Sequence, residues 1–278
     1  MIIVSLVKSK KNLKHFISIV ILLFVCTALS AQTLVIKDSI QIESKDTITD
    51  FSVDDFGNVY YIRNFSELNK IDAKTKAKKS FSNQSVLENL NTQNSLQVTV
   101  KSSLFSLVIL DNQLNLFRDA IRFPIENNFS PTLMALVDNN YLWGYDPVLQ
   151  RLIMWNYQEN KVLRQSVILS EKAGDEFYSG LIFKKDKIYL IGVTKILVFD
   201  DFANLKEVIP FQKFDQIEIG NEFIHFTKDK KLYKMNLRSK EIWEVKLNAN
   251  VDYFSTNSHH LFVLKDKVVY LYDSQINP

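Results

Sequence analysis

The 278-residue chain has one cysteine, Cys26, and it falls inside an apolar run near the N-terminus. The chain beyond that run has no thiols, so it can form neither a disulfide nor a thiolate metal site. Its stability must come from buried apolar surface. Glycine (6) and proline (5) are scarce, which leaves few positions for tight turns that demand a positive φ. Only one long apolar run exists, Phe16 to Leu29, broken by Ser18 and Thr27. The chain has no Gly-x-Ser-x-Gly elbow and no glycine-rich phosphate loop, so an esterase nucleophile and a nucleotide cradle have no support. Beyond residue 31 the only histidines are His225, His259 and His260. Read as strand residues, His259 and His260 point to opposite faces and cannot hold one ion together. Without cysteine, a zinc site would have to draw carboxylates from distant segments.

The apolar run is framed as an export signal. Lys8, Lys10, Lys11 and Lys14 precede it, and the small residues Ser30 and Ala31 follow before Gln32. Basic, apolar and small-residue regions in that order mark residues 1–31 as a secretory signal peptide, leaving 32–278 as the mature domain. The run is about 14 residues, short of the roughly 20 that a spanning helix needs. Leu23-Phe24-Val25 before Cys26 lacks the small residue that lipid attachment uses. The signal takes four lysines and no acids, so 34 basic and 31 acidic residues become 30 and 31, a formal charge of −1. The basic pI of the whole chain therefore gives no argument for nucleic-acid binding. The expected location is the periplasm or the outer membrane of a Gram-negative bacterium, with no transmembrane segment after cleavage.

The mature part has abundant core material, with 46% hydrophobic residues, 20 Phe and 11 Tyr in the whole chain. It is also repetitive. Six segments read aliphatic, two residues, apolar, then Asp or Asn: Leu68 to Asp72, Leu107 to Asp111, Leu152 to Asn156, Ile196 to Asp200, Leu232 to Asn236 and Val269 to Asp273. Their closing residues are 39, 45, 44, 36 and 37 positions apart. A period near 40 in short apolar strands predicts an all-β propeller whose repeats are four-stranded blades. The strands of the fourth repeat are Leu181 to Phe183, Ile188 to Ile191, Ile196 to Phe199 and Leu205 to Phe211, with polar turns between them. The closing Asp or Asn is expected to accept a backbone N–H two residues on. Tyr60, Trp143, Tyr189, Phe223 and Phe262 recur in second strands and are expected to pack between blades. Val86 to Asn94 reads as one or two helical turns. The sixth repeat has only three strands. The segment Thr33 to Glu43, with Ile36, Ile40 and Ile42 as its buried positions, is expected to supply the fourth and close a ring of six blades.

Val53-Asp54-Asp55-Phe56-Gly57-Asn58-Val59-Tyr60 resembles the hairpin signature of NHL-like six-bladed propellers, with Gly57 at the turn. The chain also resembles a group of exported bacterial envelope proteins that share this Asp-rich first hairpin and a Leu-Val-Ile-Leu-Asp-Asn strand, here Leu107 to Asn112. The resemblance implies an envelope location and carries no active site across.

Paired acids occur at Asp54-Asp55, Asp175-Glu176 and Asp200-Asp201. A glycosidase needs two carboxyls roughly 5 to 9.5 Å apart across a substrate, and neighbours in a turn rarely face one cleft. The basic string Lys74, Lys76, Lys78 and Lys79 reads as a solvated hairpin tip, or as a patch for acidic headgroups or an acidic partner. No catalytic residue, metal ligand or cofactor is predicted. Propellers bind through loops gathered on one face, here the loops between second and third strands and between blades. The predicted binding residues are Arg63, Asn64, Lys101, Asn128, Phe129, Tyr145, Asp146, Asp175, Glu176, Lys228 and Lys230. Their mixed charges suit an envelope protein partner or assembly better than a polyanion. The alternatives are a glycan-active enzyme and a sugar- or small-ligand-binding protein that uses the channel mouth. The two main readings separate physically. An enzyme gathers acids, Arg or His with perturbed pKa at one mouth, whereas a scaffold exposes an apolar patch on a face or rim.

Overall fold

The computed structural model describes residues 34–273, apart from 95, 103–105, 123–128, 212 and 248–249. The predicted export signal, Thr33 and Asn128 lie outside the described residues. No described helix is long and apolar enough to cross a membrane.

Strand β1 (Ile36–Gln41) is followed by 23 further strands, and the 24 form six antiparallel four-stranded sheets. Blade 1 is β2 (Ile48–Val53), β3 (Val59–Arg63), β4 (Glu67–Ile71) and β5 (Lys78–Ser82). Blade 2 is β6 (Leu87–Asn94), β7 (Gln97–Ser102), β8 (Ser106–Asp111) and β9 (Ile121–Arg122). Blade 3 is β10 (Leu133–Leu136), β11 (Tyr141–Asp146), β12 (Arg151–Asn156) and β13 (Lys161–Gln165). A short helix, α1 (Leu169–Ala173), leads into blade 4, which is β14 (Tyr178–Lys184), β15 (Lys187–Gly192), β16 (Lys195–Asp200) and β17 (Leu205–Pro210). Blade 5 is β18 (Gln216–Ile219), β19 (Phe223–Lys228), β20 (Lys231–Asn236) and β21 (Ile242–Val245). Blade 6 is β22 (Tyr253–Thr256), β23 (His260–Lys265) and β24 (Val268–Asp273), with β1 as its fourth strand. The chain is therefore a six-bladed β-propeller closed by its N-terminal strand, as the repeat count implied.

The turns follow from single side chains. Asp72 Oδ1 accepts the N–H groups of Lys74 (3.0 Å) and Thr75 (2.8 Å). Asp111 takes Gln113 and Asn115, Asn156 takes Gln158 and Glu159, Asp200 takes Phe202 and Asn204, and Asn236 takes Arg238 and Ser239. Five of the six repeat-closing residues thus organise the turn from third to fourth strand, as the spacing predicts. In the sixth, Asp273 instead pairs with Lys37 of the closing strand at 2.5 Å. The first hairpin uses the same device: Asp54 accepts Phe56 N, Asn58 N, the Asn58 amide and the Tyr60 hydroxyl, and Gly57 sits at φ +82°.

Middle strands are buried on both faces because neighbouring blades cover them, which explains the unbroken apolar runs of β8, β15 and β16. Five apolar clusters fill five of the six seams. Tyr60 lies between blades 1 and 2, Trp143 between 3 and 4, Tyr189 between 4 and 5, and Phe262 between 6 and 1, as expected. Trp155 and Phe129 fill the seam between blades 2 and 3. Phe223 is half-buried, with the Lys234 ammonium 3.7 Å from its ring centre. Between blades 5 and 6 the inner strands are joined by polar contacts. The Gln216 amide exchanges two hydrogen bonds with the Phe254 backbone (2.9 and 3.0 Å). Glu218 accepts Thr256 N (2.6 Å), Thr256 Oγ1 (2.7 Å) and Ser255 Oγ (3.1 Å).

Closure differs in detail from the expectation. β1 pairs with β24 from Ile36↔Tyr272 to Gln41↔Val268. Ile42 is buried and Ile40 half-buried, but Ile36 is exposed. The outermost strand has one sheet neighbour and little cover, so closure rests more on the hydrogen-bonded edge than on three buried isoleucines. The basic hairpin contributes here. Lys78 pairs with Glu43 at 2.6 Å and Lys76 with Asp38 at 3.8 Å, across the seam between blades 1 and 6. The predicted helical turns at Val86 to Asn94 are instead β6, the innermost strand of blade 2. It is rich in polar residues, one of which, Thr92, is buried against Ser52 of blade 1, and two register shifts break its alternation.

Candidate functional site

Antiparallel blades place all second-to-third-strand loops and all blade-to-blade connections on one side of the ring, here called the upper face. The described candidate residues all reach it. Arg63, Asn64, Lys228 and Lys230 lie at second-to-third-strand turns, and Lys101 ends β7. Tyr145 and Asp146 end β11, while Phe129, Asp175 and Glu176 lie in connections between blades.

Their side chains divide into two groups. Arg63 is held by Glu67 at 2.6 Å and Asp46 at 3.4 Å, and this pairing raises its pKa above the usual value. Lys101 pairs with Glu88 at 3.6 Å and Lys230 with Asp252 at 3.7 Å. Asn64 is exposed and its Oδ1 accepts Thr47 N at 3.2 Å. Asp175 is exposed, and Lys228 is half-buried. Four others are inside the protein. Phe129 packs edge-on against Trp155, with ring centres 6.3 Å apart. Tyr145 meets Tyr178 edge-on at 5.1 Å. Asp146 is buried and accepts the N–H groups of Val148 (2.8 Å), Leu149 (2.9 Å) and Ser130 (2.5 Å). The Glu176 side chain is buried too, accepting both the N–H and the hydroxyl of Thr194 and pairing with Lys195 at 3.5 Å. These four shape the face from beneath and cannot contact a partner. The sequence reading put Tyr145 and Asp146 in a loop, but β11 runs through them.

What they support is a rigid platform over blades 3 and 4. Gln150, in the β11–β12 turn, accepts Leu169 N at 2.9 Å and the Ser170 hydroxyl, and donates to Asp175 at 3.4 Å. On the other side, Glu176 binds the β15–β16 turn, and Lys195 donates to the carbonyl of Ala173. The connection carrying α1 is thus tied to the turns of both blades. From this platform project Val148 (84% exposed) and Phe177 (75%), together with the exposed Leu149, Val167 and Val193. Of the seven large exposed apolar residues on the upper face among the described residues, these five lie on two adjacent blades; the other two are Phe65 and Val86. The sequence reading missed all five, although apolar residues directly after the Asp146-Pro147 turn, where solvent-facing polar residues are the norm, were a usable signal.

The first strands of blades 1 and 5 carry the perturbed acids. Burial pushes the Asp50 carboxyl up to about 6, against hydrogen bonds from Leu90 N and Phe51 N. Burial also raises Glu218, against its bonds to Thr256 and Ser255. Both carboxylates tie one blade's inner strand to the next, Asp50 to blade 2 and Glu218 to blade 6. Lys184 is lowered by burial and donates to Ile219 O at 2.7 Å, linking blades 4 and 5. His225 is half-buried, its pKa pushed down to about 4 by desolvation and by the charges of Lys234 and Lys184. Asp50, Glu218 and Lys184 work as staples between blades. Among the described residues, no three His, Cys, Asp or Glu gather to hold a metal.

No protein-family model matches the chain, and no curated protein sequence does. Solved structures match by shape. A chain of the mitotic checkpoint complex aligns with a TM-score of 0.59 at 7% identity, over 88% of this chain and 93% of that one. The Pan2 WD40 domain of Neurospora crassa aligns at 0.56 and 9% identity, over 89% and 99%. Streptogramin B lyase aligns at 0.55 and 12% identity, over 86% and 87%. Identities this low establish the propeller fold, which hosts both binding modules and enzymes, and nothing finer.

Proposed function

We propose that this propeller is an exported protein-binding module of the bacterial cell envelope, and that it docks a partner on the upper face over blades 3 and 4. The observation that carries the reading is the platform of Val148, Leu149, Val167, Phe177 and Val193. These are exposed apolar side chains on loops that Gln150, Glu176 and Lys195 hold rigid. Exposed apolar side chains cost little when a partner covers them, and preorganised loops lose little entropy on binding. Asp175 supplies an exposed polar position beside the apolar centre, as at the rim of an interface. The perturbed carboxyls of Asp50 and Glu218 are engaged in bonds between blades, which argues against an acid–base pair. The architecture suits the role, since one fold neighbour is itself a chain of a multiprotein complex. Export rests on the order of Lys8 to Lys14, Phe16 to Leu29 and Ser30-Ala31.

The test is crosslinking in native envelopes with Val148→Asp/Phe177→Asp. Both residues are exposed, so the melting temperature should stay within about 2 °C, while capture of the wild-type partner falls at least about tenfold. A control substitution on the opposite face, Phe202→Ser, should leave capture intact. Full capture by the upper-face variant would move the interface elsewhere, and recovery of the wild-type protein in the cytosol alone would reject the envelope assignment.

A further inference from the structure

Pairing of β1 with β24 completes a groove of about 200 Å³ on the lower face, the side that carries the first-to-second and third-to-fourth-strand turns. Ile40 of β1, Phe262 of β23, and Val269 and Leu271 of β24 line it from blade 6. Phe56, Gly57 and Ala73 line it from blade 1. Phe262 is buried and Phe56 is 61% exposed, so one ring belongs to the floor and the other can cover an occupant. Asp54 accepts four hydrogen bonds in the hairpin that carries Phe56, which presets where that ring stands.

The charges around this groove are balanced. The carboxylates that line it are Asp38 and Asp55. Asp38 pairs with the Lys76 ammonium at 3.8 Å. Asp55 is itself engaged and lies in the field of the Lys184 ammonium. A charged ligand would give up water here without gaining an unpaired counter-charge, so the groove favours an uncharged one. Its uncommitted polar groups are two imidazoles. His259 and His260 both line the groove, which corrects the expectation that they face opposite ways. His259 lies in the turn before β23, and Asn257 fixes that turn by accepting the N–H groups of both histidines (3.0 and 2.8 Å). The two rings stand 6.2 Å apart, centre to centre, and the His260 ring meets Phe262 edge-on at the same distance. Among the described residues, neither imidazole makes a hydrogen bond through its ring nitrogens.

The volume falls below the roughly 300 to 1,000 Å³ of pockets that enclose drug-sized ligands, so the occupant is about one aromatic ring with a short substituent. Aromatic rings favour edge-to-face and offset partners, and Phe56 and Phe262 offer them on two sides. A hydroxyl both donates and accepts, so it can bond an imidazole in either tautomer. We propose that this groove binds a small uncharged phenol, with its ring between Phe56 and Phe262 and its hydroxyl on the His259–His260 pair. The site lies on the opposite face of the propeller from the partner platform. Because β1, β24 and the first hairpin all contribute, an occupant binds only the closed propeller and stabilises it.

Phenol is the probe. Anisole is the counterpart that cannot donate a hydrogen bond, and benzylamine and benzoate are the charged counterparts. A ligand of this size binds with Kd on the order of 1 mM. At about 10 mM, phenol should raise the melting temperature by about 3 °C, and a calorimetric titration should saturate with the same Kd. Each charged counterpart should bind at least about fivefold more weakly. Phe56→Ala and His259→Leu/His260→Leu should fold normally, as their unliganded melting curves would show. Phe56→Ala should weaken phenol about fivefold. In the histidine variant the ratio of phenol to anisole affinity should fall about fivefold, a change that altered packing alone would not produce. Four results would overturn the proposal: no saturable response to phenol, equal binding of either charged counterpart, full affinity in Phe56→Ala, or an unchanged ratio in the histidine variant.

Discussion

Asp50 is half-buried at the seam between blades 1 and 2, and desolvation pushes its carboxyl up to about 6 in the folded protein. In the unfolded chain such a group titrates near 3.9. Between about pH 4 and pH 6 the folded state therefore keeps a proton that the unfolded state has lost, and stability falls as pH rises through that window. The contribution is at most about 3 kcal/mol. Asp50→Asn removes this ionisation. From about pH 4.5 to pH 7.5 its urea midpoint should decline less than that of the wild type, by the equivalent of about 2 kcal/mol; parallel declines would show that the carboxyl is well solvated. Tyr145 makes the opposite point about exposure. It was read from sequence as a loop contact, yet its ring is buried against Tyr178. Tyr145→Ala should cost about 3 to 4 kcal/mol in chemical denaturation, whereas Phe177→Ala, 75% exposed, should stay within about 0.5 kcal/mol. Both tyrosine and aspartate at 145 and 146 belong to types favoured at interfaces and turns, and type alone does not reveal which way a strand end faces.

Among the elements, the strands and their turns were the most legible. The bonds from Asp72, Asp111, Asn156, Asp200 and Asn236 reach only two to four residues ahead, so their spacing in the chain states their geometry. The strand β6 was misread because it is rich in polar residues and its register shifts disturb a period of two. The closing strand β1 was placed correctly, although Ile36 proved exposed. Deleting residues 34–43 removes the buried Ile42, worth on the order of 2 kcal/mol. It also leaves β24 as an open edge. The truncated protein should melt at least about 10 °C lower or aggregate on refolding, read by calorimetry and light scattering. The ion pairs of Lys76 and Lys78 add little to this, being exposed. An unchanged melting curve would mean that the ring holds without its fourth outer strand.

For the whole molecule, the amino-acid sequence alone determined an all-β chain of six similar units whose last unit lacked a strand, and located the loops that share a face. Those properties are local: alternation along a strand, an Asp or Asn that closes a turn, a period near 40. The tertiary structure decided which loop side chains meet solvent. Glu176 and Asp146 vanish beneath the platform because Thr194, Lys195 and Ser130, from other segments, cover or bond them. Val148 and Phe177 are left outside because no described segment reaches over them. The sixth blade is likewise a product of closure, since Asp38 and Ile40 pair with Leu271 and Val269 across more than 200 positions of chain. Burial is a sum over contacts between distant segments, and a linear pattern holds only the part of that sum contributed by neighbours.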